Sequence, residues 1–75
     1  MSGTLCKVTA QLLQIHEQPK LQSPVHRTAH RGDPLTFVRI VQGDTVNLNG
    51  HNDANWGQSP DHFFFPLGGT DHPNK

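Results

Sequence analysis

The stretch that decides the fold lies near the start of the chain and reads Leu5-Cys6-Lys7-Val8-Thr9-Ala10-Gln11-Leu12-Leu13-Gln14-Ile15. Its first part alternates apolar and polar residues, and one face carries Cys6, Val8, Ala10 and Leu12. This period of two predicts a half-buried β-strand. The apolar pattern then changes phase and continues at Leu13 and Ile15, as one extra residue in a β-bulge at Leu12-Leu13 would cause. A helix over 10–15 is the alternative, because alanine, glutamine and leucine favour helices.

Further along the chain, four segments predict additional strands. Residues 35–41 read Leu-Thr-Phe-Val-Arg-Ile-Val and are rich in β-branched and aromatic residues. Residues 45–48 resume the alternation, so we expect an antiparallel hairpin with its turn at 42–44. Asn49-Gly50 predicts a second tight turn, which leads into a weaker strand up to Trp56. The run Phe63-Phe64-Phe65 predicts a short last strand that ends at Pro66.

The segment between these strands carries helix signals instead. Ser23 suits the N-cap, Pro24 the first helical position, and Gly32 the residue just past a helix end. We therefore expect one short helix over 24–31. An extended loop is the alternative, because so few residues form only a marginal helix.

Composition limits the size and stability of the protein. The chain has 75 residues, of which 32% are apolar, so we expect a single small β-rich domain over 1–67 and a polar tail over 68–75. Such a core rarely contributes more than roughly 3–5 kcal/mol without a disulfide, a metal or a partner. Cys6 is the only cysteine, which excludes an intramolecular disulfide. The composition therefore favours a protein that works within an assembly.

The charge balance argues against several classes of function. Six Lys and Arg residues are matched by six Asp and Glu residues, so no basic excess is present to neutralise the phosphates of a nucleic acid. No apolar run approaches the length of a membrane span, which is about 18 residues. Residues 1–4 show no basic segment leading into an apolar run, so we expect no signal peptide. The expected location is the cytoplasm, or a virion or another assembly.

Four short motifs follow one another in a familiar order: Leu35-Thr36-Phe37, Gly43-Asp44-Thr45-Val46, Trp56 and Phe65-Pro66. This order resembles the signals of Src-homology-3-like barrels, in which a Gly-Asp turn precedes a strand and a tryptophan opens the ligand groove. The paired tryptophans and acidic ligand-binding loop of that family have no match here. The resemblance spans about half of the chain and implies a small antiparallel barrel or sandwich. The oligonucleotide-binding barrel, with its long bent first strand, fits residues 5–15 equally well.

The aromatic residues are the leading candidates for a binding site, and the predicted partner-binding set is Trp56, Phe63, Phe64 and Phe65. On a strand, Phe63 and Phe65 point to one face and Phe64 to the other, so one of these faces meets solvent or a partner. An exposed phenylalanine beside a tryptophan is an anchor of the kind that dominates protein interfaces. Packing of all four residues in the core is the alternative. The same residues would suit stacking on single-stranded bases, but no positive groove accompanies them.

Histidines and arginines supply two further candidate sites. On a helix, His26 and His30 would share one face, as zinc ligands do, although no third or fourth ligand follows at a diagnostic spacing. The predicted anion-binding patch consists of Arg27, Arg31 and Arg39. For both sets the alternative is a solvated polar surface. The chain has six histidines in all, so mild acid would make the neutral protein positively charged.

Together these features predict a small non-enzymatic module that binds another protein or further copies of itself. It would act as a structural or accessory subunit, or as an inhibitor, within a larger assembly. Small accessory proteins of phages and other viruses have a similar size and composition. We predict no catalytic residues and no cofactor. The alternatives are a zinc module that uses His26 and His30, and a barrel that binds single-stranded nucleic acid.

Overall fold

Antiparallel strands make up most of the structure, a computed structural model that describes residues 3–48 and 51–71. Within these residues the strands are β1 (Thr4–Lys7), β2 (Leu12–His16), β3 (Val25–His30), β4 (Pro34–Phe37), β5 (Arg39–Leu48), β6 (His51–Gln58) and β7 (Phe64–Pro66). A 3₁₀ turn, Leu67–Gly69, follows the last strand. β1 pairs with β4, and the other strands form a five-stranded sheet in the order β3-β2-β7-β6-β5. The prediction of a mainly β, antiparallel protein is confirmed.

The alternating stretch near the start of the chain forms two strands in different sheets. Cys6 and Val8 are buried before the change of phase, and Leu13 and Ile15 are buried after it. The phase change is therefore present, but its cause is a corner at residues 8–11 between β1 and β2. The predicted bulge at Leu12-Leu13 is wrong, and β2 occupies the place of the alternative helix. The corner lets the chain leave one sheet for the other while its apolar side chains stay inside.

Backbone hydrogen bonds fasten this corner on two sides. The Val8 N–H donates to the Asp33 carbonyl at 3.0 Å, and the Gly32 N–H donates to the Val8 carbonyl at 2.8 Å. On the other side, the Thr9 N–H donates to the Gly69 carbonyl at 2.9 Å. Gly32 has a φ of 89°, in the left-handed region that glycine adopts without strain. The corner thus links the turn between β3 and β4 to the 3₁₀ turn that follows β7.

Residues 25–30 form a strand at the edge of the five-stranded sheet, so the expected helix over 24–31 is wrong. In this strand Ala29 lies opposite Leu13, and both side chains are buried. The cap signals at Ser23 and Pro24 contribute little by comparison, because β2 offers a full set of backbone partners to the adjacent segment. Tertiary pairing has overridden local propensity here.

The segment from 34 to 48 also departs from its prediction. β4 ends at Phe37, and β5 then runs without a turn to Leu48. The expected turn at 42–44 is instead an irregularity within β5, where the register against β6 shifts between Gln42 and Val46. The partner of β5 is therefore β6, in which Leu48 is paired with His51. The predicted Asn49-Gly50 turn lies outside the described residues.

The last strand and the 3₁₀ turn complete the interior. β7 is short, as predicted, and lies between β2 and β6 in the sheet. Leu67 is fully buried, and Thr70 forms an isolated bridge with Val8. The domain boundary expected at 67/68 stays a prediction, and residues 72–75 of the expected tail lie outside the described part.

A single cluster of buried side chains lies between the two sheets. Its members are Cys6, Val8, Ala10, Leu13, Ile15, Ala29, Leu35, Phe37, Phe65 and Leu67. Both sheets therefore depend on the same small core. Among residues 3–48 and 51–71, no helix is long and apolar enough to cross a membrane.

Replacing Leu67 with alanine should show how far the core depends on the 3₁₀ turn. Because Leu67 is 0% exposed, we expect Leu67→Ala to lower the free energy of unfolding by about 2–5 kcal/mol in urea titrations. The matched control is Leu5→Ala, since Leu5 is 67% exposed and its loss should change stability by less than about 0.5 kcal/mol. Equal effects of the two substitutions would contradict the placement of this turn in the core.

Candidate functional site

Trp56 lies on the side of the five-stranded sheet that faces away from the core. The register pairs Gly57 with Phe65, which is buried in the core, so the neighbouring pair Trp56 and Pro66 points to the opposite side. The indole packs edge-on against the imidazole of His16, with ring centroids 5.5 Å apart. Its N–H donates to the Asp44 carbonyl at 2.9 Å. This side of the sheet therefore has a small packed cluster of its own.

Residues 17–24 cover this cluster. The Asp44 N–H donates to the Pro19 carbonyl at 3.0 Å, and the Leu21 N–H donates to the Asp44 carboxylate at 3.0 Å. At the other end, the Nδ1 atom of His16 lies 2.9 Å from the Ser23 carbonyl oxygen. A carbonyl oxygen only accepts, so Nδ1 carries the proton in this contact. We call residues 17–24 the cover segment.

Gly43 permits the close approach of the cover segment to the sheet. A Cβ atom at this position would lie 2.2 Å from the Pro19 carbonyl oxygen and 2.8 Å from Cδ1 of Trp56. Neither atom can move without displacing backbone or a buried ring. The irregularity in β5, predicted as a turn, is thus the place where the cover segment is seated.

Trp56 is consequently 0% exposed and His16 is 2% exposed. Trp56 is therefore packed inside the protein, which was the alternative to partner binding. Phe65 is also buried, on the core side. Of the predicted partner-binding residues, Phe63 and Phe64 keep part of their surface accessible.

Apolar side chains lie beside the cover segment on the same side of the sheet, and Leu21 of the cover segment is one of them. His16 is opposite Val25 on one neighbouring strand and opposite Phe64 on the other, which places all three on one face. Leu12 and Leu21 border a groove of about 200 Å³ beside His16. We call this surface the outer apolar face; it consists of Leu12, Leu21, Val25, Val46, Phe64 and Pro66.

A second concave feature lies between β3 and β4, the two strands on either side of the 31–33 turn. We call it the β3–β4 cleft. It encloses about 250 Å³, and its floor is formed by Ile15, Leu35 and Phe65. One wall carries His26 and Arg27, and residues 34–36 form the opposite wall. The loop between β6 and β7 also lines the cleft, with residues 59–61 and Phe63.

A bulge in β3 brings two consecutive side chains into this cleft. Ile15 is opposite Arg27 while His16 is opposite Val25, so His26 is the extra residue. Successive side chains of a regular strand point to opposite faces, and a bulge redirects one of them. His26 consequently stacks on Phe63, with ring centroids 3.7 Å apart and an interplanar angle of 4°.

The loop that carries Phe63 is held by its own hydrogen bonds. The Ser59 N–H donates to the Phe63 carbonyl at 2.7 Å, and the Phe63 N–H donates to the Ser59 hydroxyl at 3.1 Å. His62 has a φ of 69°, which is unusual for a residue other than glycine. This tight loop fixes Asp61 and Phe63 in the lining of the cleft.

Residues from three separate sequence predictions thus meet in one place. Phe63 from the aromatic set, His26 from the histidine pair and Arg27 from the arginine set all line the β3–β4 cleft. The other arginines lie elsewhere: Nε of Arg31 donates to the Thr9 carbonyl at 3.2 Å, and Nε of Arg39 donates to Gln58. The predicted three-arginine patch is divided between different parts of the molecule.

The structure removes the geometric basis of the zinc hypothesis. His26 and His30 lie on a strand, where residues four apart are separated by roughly 13 Å. His30 instead faces Asp33, with its Nδ1 atom 3.9 Å from the carboxylate. Among residues 3–48 and 51–71, no group of three or more His, Cys, Asp or Glu side chains is arranged to hold a metal ion.

Sequence reasoning missed several residues of both surfaces. Leu12 was expected on the core face with Cys6, because the corner at 8–11 was read as a continuous strand. Leu21 stood alone among polar residues, and nothing local indicated that it would join an apolar face. The cleft residues Pro34 and Asp61 carried no signal, because the cleft arises only where two strands separate.

Comparisons of the chain with protein-family models, with curated proteins and with solved structures found no match. The outer apolar face and the β3–β4 cleft are the two features of the molecule that bear on its function.

Substituting Gly43 with alanine should loosen the cover segment. The added Cβ atom must displace the Pro19 carbonyl, so we expect Gly43→Ala to lower the free energy of unfolding by about 1–3 kcal/mol. It should also speed hydrogen exchange at the Leu21 amide. Thr45→Ala, an exposed position in the same irregular part of β5, is the matched control and should change stability by less than about 0.5 kcal/mol. Unchanged exchange at Leu21 would contradict this role of Gly43.

Cys6 should make stability depend on alkaline pH. Burial raises the pKa of the Cys6 thiol above its ordinary value of 9.0; a hydrogen bond with Thr70 opposes this shift and the charge of Asp71 adds to it. Above pH 9.0 the thiol ionises in the unfolded chain before it does so in the folded protein, so the unfolded state is favoured. The free energy of unfolding should therefore be constant with respect to this group below pH 8 and fall as the pH rises past 9. Between pH 8 and pH 10, the free energy of unfolding should fall less steeply in Cys6→Ala than in the wild-type protein. An identical fall in the two proteins would show that another group is responsible.

Proposed function

We propose that this protein is a non-enzymatic protein-binding module that works as a structural or accessory subunit of a larger assembly. The observation that supports this proposal is the outer apolar face. Three of the six most exposed large apolar side chains in the described part belong to it: Leu12 at 56%, Leu21 at 50% and Val25 at 44% exposure. The half-buried Phe64, one of the residues predicted to bind a partner, lies on the same face, where His16 stands between it and Val25.

An apolar surface of this kind is stabilised when a partner removes it from water. Phe64 belongs to β7, which is paired with β2 on one side and with β6 on the other, and the buried Pro66 lies two residues further along the same strand. A phenylalanine on a rigid element loses little conformational entropy on binding, which suits it as an anchor. Equal numbers of positive and negative side chains also leave no net repulsion between two copies of the chain.

We further propose that the two sheets form a small barrel of the Src-homology-3-like or oligonucleotide-binding type. Two corners support this reading. The chain passes from β1 to β2 through residues 8–11 and from β4 to β5 through Val38 alone, so each corner joins one sheet to the other. The unpaired edges of β3 and β4 mark the place where the barrel is open.

Loss of association on substitution of the outer apolar face tests the proposed function. We expect the wild-type chain, purified from its own cells without denaturation, to give a native mass above the 8.3 kDa of one chain. A variant with both Leu12→Ser and Leu21→Ser should give the mass of the monomer. Both leucines already expose at least half of their surface to solvent. The fold should therefore persist, as measured by the near-ultraviolet circular dichroism of Trp56.

The control variant is Leu5→Ser, which removes an even more exposed leucine from β1, in the other sheet. It should associate as the wild type does. The proposal is refuted when the wild-type protein has the mass of a single chain, or when the control loses its partner to the same extent as the double variant. The native mass also identifies the occupant, because a second copy and a different subunit give different increments.

A further inference from the structure

We propose that the β3–β4 cleft is a second binding site, which takes an extended peptide segment of a partner protein. The segment carries one large apolar side chain next to an acidic residue. This site is separate from the outer apolar face and does not rest on the function proposed for that face.

The strand edges beside the cleft favour an extended peptide as the ligand. In the described part of the chain, β3 has a neighbouring strand only on its β2 side, and β4 has one only on its β1 side. An extended peptide can add to such an edge through main-chain hydrogen bonds. Pro34 has no N–H to donate and so weakens the β4 edge as a template, which leaves β3 as the strand that receives the peptide.

The size and lining of the cleft determine which side chain enters it. Its volume of about 250 Å³ is below the roughly 300–1,000 Å³ of typical small-molecule sites, so one large side chain is a better match than a cofactor. Ile15, Leu35 and Phe65 make the floor apolar. The stacked rings of His26 and Phe63 add an aromatic wall. A phenylalanine, tryptophan or leucine of the peptide has complementary contacts on both surfaces.

Arg27 supplies the preference for an acidic neighbour. Its side chain lines the cleft, is exposed, and has no carboxylate within salt-bridge distance among residues 3–48 and 51–71. A guanidinium binds a carboxylate through two parallel hydrogen bonds, which gives both direction and strength. Asp61 lines the same cleft.

Arg27 has a further effect, because a charged side chain at a strand edge discourages pairing with any uncharged strand. The exposed edge of β3 is thereby protected from adventitious strand addition. A peptide that carries a carboxylate can still pair with this edge, because the carboxylate binds Arg27. The site is therefore selective, because it attracts acidic peptides and excludes uncharged strands.

A positional-scanning library of acetylated, amidated octapeptides tests the site. We expect the full chain to select Asp or Glu beside Phe, Trp or Leu. Fluorescence anisotropy with a selected peptide should show that Arg27→Glu weakens binding by about tenfold or more. The same variant, screened again, should select Lys or Arg in place of the acidic residue. The matched control is Lys20→Glu, which makes the same charge change on the exposed surface of the cover segment, on the other side of the five-stranded sheet, and should alter the affinity less than about twofold.

The remaining outcomes are equally decisive. Amide resonances of β3 should shift on addition of the peptide, and the Leu12→Ser, Leu21→Ser double variant should bind it normally. The proposal fails if the library yields no acidic preference, if Arg27→Glu leaves that preference unchanged, or if the shifts fall only on the outer apolar face. It also fails if an oligothymidylate binds the cleft more tightly than the selected peptides, since that result would identify a nucleic-acid site.

Discussion

The corner at residues 8–11 is the constraint on which the two sheets depend. A chain with a core this small cannot give each sheet an interior of its own, so both must share one set of buried side chains. The corner meets this requirement because it changes the phase of the apolar residues while the chain changes sheets. Hydrogen bonds from Gly32 and to Gly69 hold it from both sides. The turn between β3 and β4 and the 3₁₀ turn are thereby joined to the beginning of the fold.

The side of the five-stranded sheet that faces away from the core is buried in a different way. Trp56 and His16 would leave a large aromatic surface in water if the sheet were bare on that side. The cover segment folds over them, seated on Gly43 and Asp44, and so removes the two most prominent rings from the surface. The smaller apolar groups of the outer apolar face stay accessible. Together with the cleft, this face gives the molecule two separate surfaces with different chemistry.

Much of the β structure could be predicted from the sequence, because alternation and β-branched residues act locally. The change of phase between Ala10 and Leu13 could also be predicted, because it too is a local pattern. The helix expected over 24–31 failed because its cap residues describe only local preferences, whereas Ala29 is held by Leu13 across the sheet. Pairing between residues that are distant in sequence cannot be predicted from a local pattern.

The candidate sites were harder to predict for a related reason. Residue type, and for His26 its spacing from His30, made Phe63, His26 and Arg27 candidates, each for a different chemistry. Their convergence depends on an extra residue in β3 and on the separation of β3 from β4, and neither can be read from spacing. Trp56 shows the reverse case: its residue type suggested an interface, and the cover segment made it interior.

The bridge between Val8 and Thr70 has a consequence for how the protein is made. The corner and the 3₁₀ turn are separated by most of the chain, yet each is incomplete without the other. In a nascent chain, β1 and β2 have no completed core to pack against until residues 67–70 are available. Their apolar faces are therefore exposed to solvent in any chain that still lacks those residues. Protection of nascent chains from premature contact, by a chaperone or by rapid elongation, should matter more for this protein than its small size suggests.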